Sequence, residues 1–129
     1  MAKLRLNIAK KEIIIKKIIS VTIDNIQFDK KDYMINSKVI QYFYNFIHRN
    51  INNITFISYT NSWDDFVYHI YLKENKIHNE NDEAFYRIYN GCRKFDRIES
   101  NYFINGERMS HYNWLKISRK IKLDKLRNT

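Results

Sequence analysis

Residues 84–117 read AFYRIYNGCRKFDRIESNYFINGERMSHYNWLKI, and the fold depends on how this stretch divides. Residues 85–89 and 92–98 alternate apolar and polar side chains, the period of a half-buried strand. They flank Asn90-Gly91, and Asn-Gly suits a type I′ hairpin turn because both central residues take φ > 0. A further strand, 102–104, ends at a second such pair, Asn105-Gly106. Ser110 stands where a hydroxyl accepts from the free N–H groups of a helix start. A helix is expected from about 111 to 122, with Trp114, Ile117 and Ile121 toward the body and residues 124–129 frayed. Hairpin, strand and capped helix form the centre of the expected fold.

Leu4, Leu6 and Ile8 alternate with Lys3, Arg5 and Asn7, which fits a short edge strand. Residues 12–28 admit two readings. Ile14, Ile15, Ile18 and Ile19 would line a helix, whereas Ile13, Ile15, Ile19, Val21 and Ile23 recur with a period of two. The density of β-branched residues favours strand. Asn36 or Ser37 can cap a helix over about 37–50. Its apolar face is Val39, Ile40, Phe43, Phe46, Ile47 and Ile51, with Lys38, Gln41, Tyr42, Asn45 and Arg49 opposite. Asn50, Asn52 and Asn53 end it, since Asn tolerates a left-handed C-cap. Residues 54–59 and 66–72 read as strands joined by Asn61-Ser62-Trp63-Asp64-Asp65, and 75–82 as a polar loop. The expected class is α+β: an antiparallel β-meander packed with one central helix and a C-terminal helix, in a single domain over 1–129 with more strand than helix.

The composition suits a folded chain: 44% hydrophobic and 16% aromatic over 129 residues. No apolar run approaches the roughly 20 residues of a membrane helix. The first residues, MAKLR, lack a signal peptide's apolar segment. Cys92 is the one cysteine, so no internal disulfide forms, and a reducing cytoplasm, that of a host cell, is the expected location. There is no proline and only two glycines, so asparagine must serve the turns. The abundance of Ile, Lys, Asn, Tyr and Phe reflects AT-rich codons. These belong to an AT-rich bacterium, its phages or mobile elements, or an AT-rich eukaryote or virus.

The net charge of +9 sits at the ends. Residues 1–17 hold six bases and one acid, residues 116–129 six bases and one acid, and the body between them 11 bases and 12 acids. Lys10, Lys11, Lys16 and Lys17 in the first segment, and Lys116, Arg119, Lys120, Lys122 and Lys125 in the last, are candidates for contact with nucleic acid or an acidic partner. The alternative is solvated ends that keep an apolar chain in solution. Arg87, Arg93, Lys94 and Arg97 lie among Tyr86, Tyr89 and Phe95. Bases interleaved with aromatics suit a single-strand or RNA surface, or pair with Asp96, Glu99 and Glu83 in a meander whose aromatic side packs on the helix. Asp64 and Asp65 could hold Mg²⁺ but fit turn chemistry better. His48, His69, His78 and His111 show no metal-pair spacing, Cys92 has no base beside it, and no phosphate loop or nucleophile elbow is present. The reading is of no catalytic residue, no metal and no cofactor.

The run Tyr86 to Phe95, YRIYNGCRKF, resembles the late hairpin of RelE/ParE-family toxins, in which arginines flank a glycine turn. That resemblance implies a ribosome-dependent ribonuclease or a gyrase poison, with Arg87 and Arg93 as the residues carried over. The family's two early helices have no clear counterpart. The size, the α+β pattern and the ending YFINGERMS, 102–110, resemble small phage or mobile-element accessory proteins, including anti-CRISPR and other anti-defence inhibitors. Such proteins act by binding, often on a nucleic-acid-binding surface of a nuclease complex. Many are acidic mimics of nucleic acid, whereas this chain is basic. The resulting expectation is a non-catalytic inhibitor docking on a host protein or nucleoprotein complex, not a membrane. A nucleic-acid-binding module using the basic ends is the alternative, and a ribonuclease toxin is third.

Overall fold

About half of the residues lie in strands in the computed structural model, which describes residues 4–29, 37–89 and 97–128. The described elements are β1 (Leu4–Ile8), β2 (Lys11–Ile15), β3 (Lys17–Ile23), β4 (Ile26–Asp29), α1 (Ser37–Arg49), a 3₁₀ turn (Ile51–Asn53), β5 (Ile54–Thr60), β6 (Phe66–Lys73), β7 (Lys76–Ile77), β8 (Phe85–Tyr89), β9 (Ile98–Ile104), β10 (Glu107–Met109) and α2 (His111–Arg127). The fold is α+β, with every strand pair antiparallel. The large sheet runs β10-β9-β8-β6-β5-β3-β4, β7 pairs with the end of β6, and β1–β2 forms a separate hairpin.

Alternation decides which face is covered. Ile18, Val21, Ile57, Ile70 and Leu72 of the large sheet share one buried cluster with Leu6, Ile8 and Ile15 of the hairpin and Tyr44 and Ile47 of α1. Burying each such aliphatic side chain contributes about 1.5–3 kcal/mol. Residues 12–28 hold strand rather than helix, in β2, β3 and β4, interrupted at Lys16 and at Asp24-Asn25. The period of two breaks, however, at a register shift between Ile18 and Ser20. Ile18 is therefore fully buried, and Ile19 only partly. On α1, Tyr44 is buried while Phe46 stays exposed against Phe28, at 5.8 Å between ring centroids. A tyrosine can turn an apolar ring inward, which a simple apolar stripe overlooks. Asn50 ends α1 without a left-handed φ: it sits at φ −112° and its side-chain amide donates to the Phe46 carbonyl at 2.8 Å.

Among the described residues four hairpins close through two-residue turns with both φ values positive: Ala9-Lys10, Asp24-Asn25, Glu74-Asn75 and Asn105-Gly106. Asparagine fills three of these turns, as the scarcity of glycine demands. Ala9-Lys10 has neither glycine nor asparagine. A tertiary bond supports it, from the Ala9 N–H to Asn75 Oδ1 at 2.9 Å. A left-handed residue with a Cβ costs about 1–2 kcal/mol, and glycine returns part of that gain through unfolded-chain entropy. Lys10→Gly should therefore stabilise by about 0.5–1 kcal/mol, read as a higher urea midpoint at unchanged slope.

Two expectations change around the central hairpin, while the expected turn at Asn90-Gly91, with Cys92, lies outside the described residues. Arg87 pairs with Ile98 between β8 and β9. The strand expected over 102–104 begins at Ile98, and a bulge holds Glu99 at φ 53°. Finally, the polar loop over 75–82 contains β7 and buries Ile77, His78 and Asn79.

Candidate functional site

The helix α2 begins where Ser110 predicts: its Oγ accepts from the Asn113 N–H at 3.2 Å. Trp114 anchors the first turns. Its ring is 6% exposed, and its Nε1 donates to the Asn79 carbonyl at 2.8 Å. Tyr102 lies tilted and His111 stacked beside it, 4.7 and 5.9 Å from the indole between centroids. Ser118 is the second buried residue, whereas Ile117 is 38% exposed. A small residue one step along from Ile117 lets the helix approach the body. The helix also continues past 122 to Arg127, because Lys125 pairs with Glu80 on the buried loop.

That loop holds two titratable groups whose pKa values are lowered. The hydrogen bond from Lys125 holds the Glu80 carboxyl below its usual value. Burial, followed by the Lys73 charge, lowers His78, whose Nδ1 accepts from the Asn105 N–H at 3.0 Å. Both groups bind protons more readily in the unfolded chain, so each stabilises the fold above its ordinary pKa, 6.5 for His78 and 4.5 for Glu80. That stability is lost as pH falls from those values through the depressed ones. Urea midpoints should drop between pH 7.5 and pH 5, and His78→Asn, which offers Oδ1 as the replacement acceptor, should flatten the drop.

The outward side of α2 carries Lys116, Arg119, Lys120 and Lys122, all exposed. Among the described residues no acid forms an ion pair with these four. Tyr112 and Leu123 stand between them, 69% and 53% exposed. The Lys116 ammonium lies 5.5 Å from the centre of the Tyr112 ring.

The other sequence candidates are placed differently. Lys10 lies in the first turn and Lys11 on β2. Lys16 and Lys17 line a cleft of about 310 Å³ opposite Asp64 and Asp65, so acids face them. Asp64 accepts from the Tyr68 hydroxyl at 2.5 Å, the Phe66 N–H at 3.1 Å and the Asn61 amide at 3.4 Å. Burial raises its pKa, but these bonds outweigh it and the net shift is downward. Asp64 is thereby tied into the turn. Among the described residues no three His, Cys, Asp or Glu side chains gather as a metal site would.

Arg87 lies 4.1 Å over the Phe66 ring and pairs with Glu99 at 2.6 Å. Arg97 lies 4.2 Å over Tyr86 and pairs with Glu83 and Asp82 at 2.9 and 3.0 Å. The Glu83 bond, followed by Asp82, outweighs burial and raises the guanidinium pKa further. Both arginines are neutralised by neighbouring acids, which leaves little charge for phosphates. Arg93 and Lys94 lie outside the described residues. On the same sheet His69 stacks between Phe56 and Tyr86, at 6.0 and 4.7 Å, and burial, followed by the Arg97 charge, lowers its pKa. Sequence reasoning missed Asn79, Glu80 and Arg108. The first two sit in the loop assigned as polar surface. Arg108 is on β10, which has only three residues and shows no readable period.

No family model matches the chain, and neither a curated protein nor a solved structure shows significant similarity to it. No helix among the described residues is long and apolar enough to cross a membrane. Where RelE/ParE-family toxins have two early helices, this chain has β1 to β4.

Proposed function

We propose that the protein is a non-catalytic binding protein that docks on a host protein or nucleoprotein complex through the outward face of α2, in the manner of phage or mobile-element inhibitors. The observation that carries this reading is the mixture on that face: exposed Tyr112 and Leu123 among Lys116, Arg119 and Lys120. Protein interfaces draw most of their energy from a few aromatic and apolar anchors, while rim charges select the partner and speed its approach. Phosphate binding alone requires cations and gains nothing from a leucine held in water. Trp114 and the Ser110 cap hold the face rigid, which reduces the ordering cost of docking. The complementary partner is acidic with an apolar groove.

The test is capture from an AT-rich bacterial lysate with and without nuclease, using the wild type and a Tyr112→Ser/Leu123→Ser variant. A protein retained after nuclease treatment is expected, with at least about tenfold weaker retention by the variant. Recovery of nucleic acid alone, abolished by nuclease, would replace this reading with the second one. That second reading, a nucleic-acid-binding module, is favoured by the absence, among the described residues, of acid partners for the four exposed cations of α2.

A further inference from the structure

We propose that the groove between the β1–β2 hairpin and the large sheet binds a small amphipathic anion: a carboxylate on an apolar chain. This inference is independent of docking by α2. The groove consists of two adjoining cavities of about 470 and 390 Å³, which share Lys11, Ile77, Phe103 and Arg108 as walls. Small-molecule sites span about 300–1,000 Å³ and are mostly apolar with a few convergent polar groups. Here the floor is Ile13, Tyr59, Ile70, Phe85 and Phe103, drawn from five strands of both sheets.

The two shared cations are out of place by the alternation rule. Lys11 stands opposite Ile8 in the hairpin and therefore on the same side, and Ile8 is 1% exposed in the core. Arg108 stands opposite Phe103 across the β9–β10 pair, on the same side as that ring. Two separate strands thus place a cation in a row that should be apolar, and both cations reach one groove. Both side chains are exposed, so their charges stay solvated while their strands turn them toward the groove.

Neither cation has an acid partner among the described residues. Glu12, beside Lys11, is paired with Arg5 at 3.2 Å. Lys10 and Lys76 add to the rim of the second cavity, where Glu107 is the one acid among the described lining residues; Glu12 lines the first. Lys and Arg stems can lie along apolar walls while their heads stay in water, and Lys11 and Arg108 both line the groove and are exposed. A ligand fits this arrangement if its chain replaces water on the aromatic floor and its carboxylate bridges the two heads.

Octanoate and 1-octanol are the probes, titrated by calorimetry against the wild type and a Lys11→Met/Arg108→Met variant. Methionine keeps much of each stem's apolar bulk and removes the charge, and both positions are exposed, so the fold is retained, as circular dichroism would verify. Saturable one-to-one binding of octanoate is expected. The variant should bind octanoate at least about tenfold more weakly, as loss of charge-assisted bonds requires, with octanol affinity unchanged. Absence of saturable octanoate binding, equal octanoate affinity in the variant, or a parallel loss for octanol would each overturn the proposal.

Discussion

Trp114→Ala is expected to remove about 3–5 kcal/mol of folding stability and to release α2 from the body. The indole fills the contact between α2 and β9, and no other large side chain of the helix is buried. Its N–H is also the partner of the Asn79 carbonyl, in a loop that is itself buried. Truncation therefore opens a cavity and leaves a carbonyl without its donor. Trp114→Phe separates the two effects: it keeps most of the ring and loses the hydrogen bond, at about 1–3 kcal/mol. Urea unfolding, followed by far-ultraviolet circular dichroism, measures both. A loss under about 1 kcal/mol for the alanine variant would mean that α2 is held by something other than this anchor.

Charge reversal at Lys116, Arg119 and Lys120 should cut the partner's association rate by about tenfold or more at low salt, with dissociation changed far less. The fold should be unaffected, since all three side chains are exposed. The difference between variant and wild type should shrink as salt rises, because the Debye length falls from about 10 Å at 0.1 M to about 3 Å at 1 M. Nucleic acid as the direct partner gives another pattern. Log affinity then falls linearly with log salt, by about 0.9 per neutralised phosphate on duplex DNA and about 0.7 on single strands. The reversal would lower that slope. Undetectable binding to nucleic acid by the wild type at low salt would remove the module reading.

What the sequence reveals depends on how local the deciding interaction is. Asn105-Gly106 is readable because asparagine and glycine tolerate φ > 0 better than other residues, and Ser110 because a cap is a contact three residues long. Ala9-Lys10 is unreadable. Nothing in that dipeptide asks for a turn, and the bond that supports it comes from Asn75, 66 residues away. Tyr44 and Ser118 are buried for reasons of shape, which hydropathy does not register. The basic row of α2 is visible at its three- and four-residue spacing. Arg108 becomes a candidate only once Phe103 is seen opposite it. Arg87 and Arg97 admit both readings in the sequence, and in the fold they are paired: Glu99 and Glu83 are partners the sequence offers, whereas Asp82 reaches Arg97 from a loop.

The four two-residue turns also have a kinetic meaning. Hairpins β1–β2, β3–β4, β6–β7 and β9–β10 each join neighbouring segments, so each closes a minimal loop and can form within about 1–10 μs. Joining β3 to β5 is different. Ile23 meets Ile54 and Lys17 meets Thr60 only after the whole of α1 has been looped out. Loop-closure entropy must be overcome before that pairing gains any burial. The slow step in refolding should accordingly be the docking of the amino-terminal half onto β5. Substitutions at Val21 or Ile57, whose side chains meet at that seam, should slow refolding, whereas changes within the β9–β10 hairpin should act mainly on the unfolding rate.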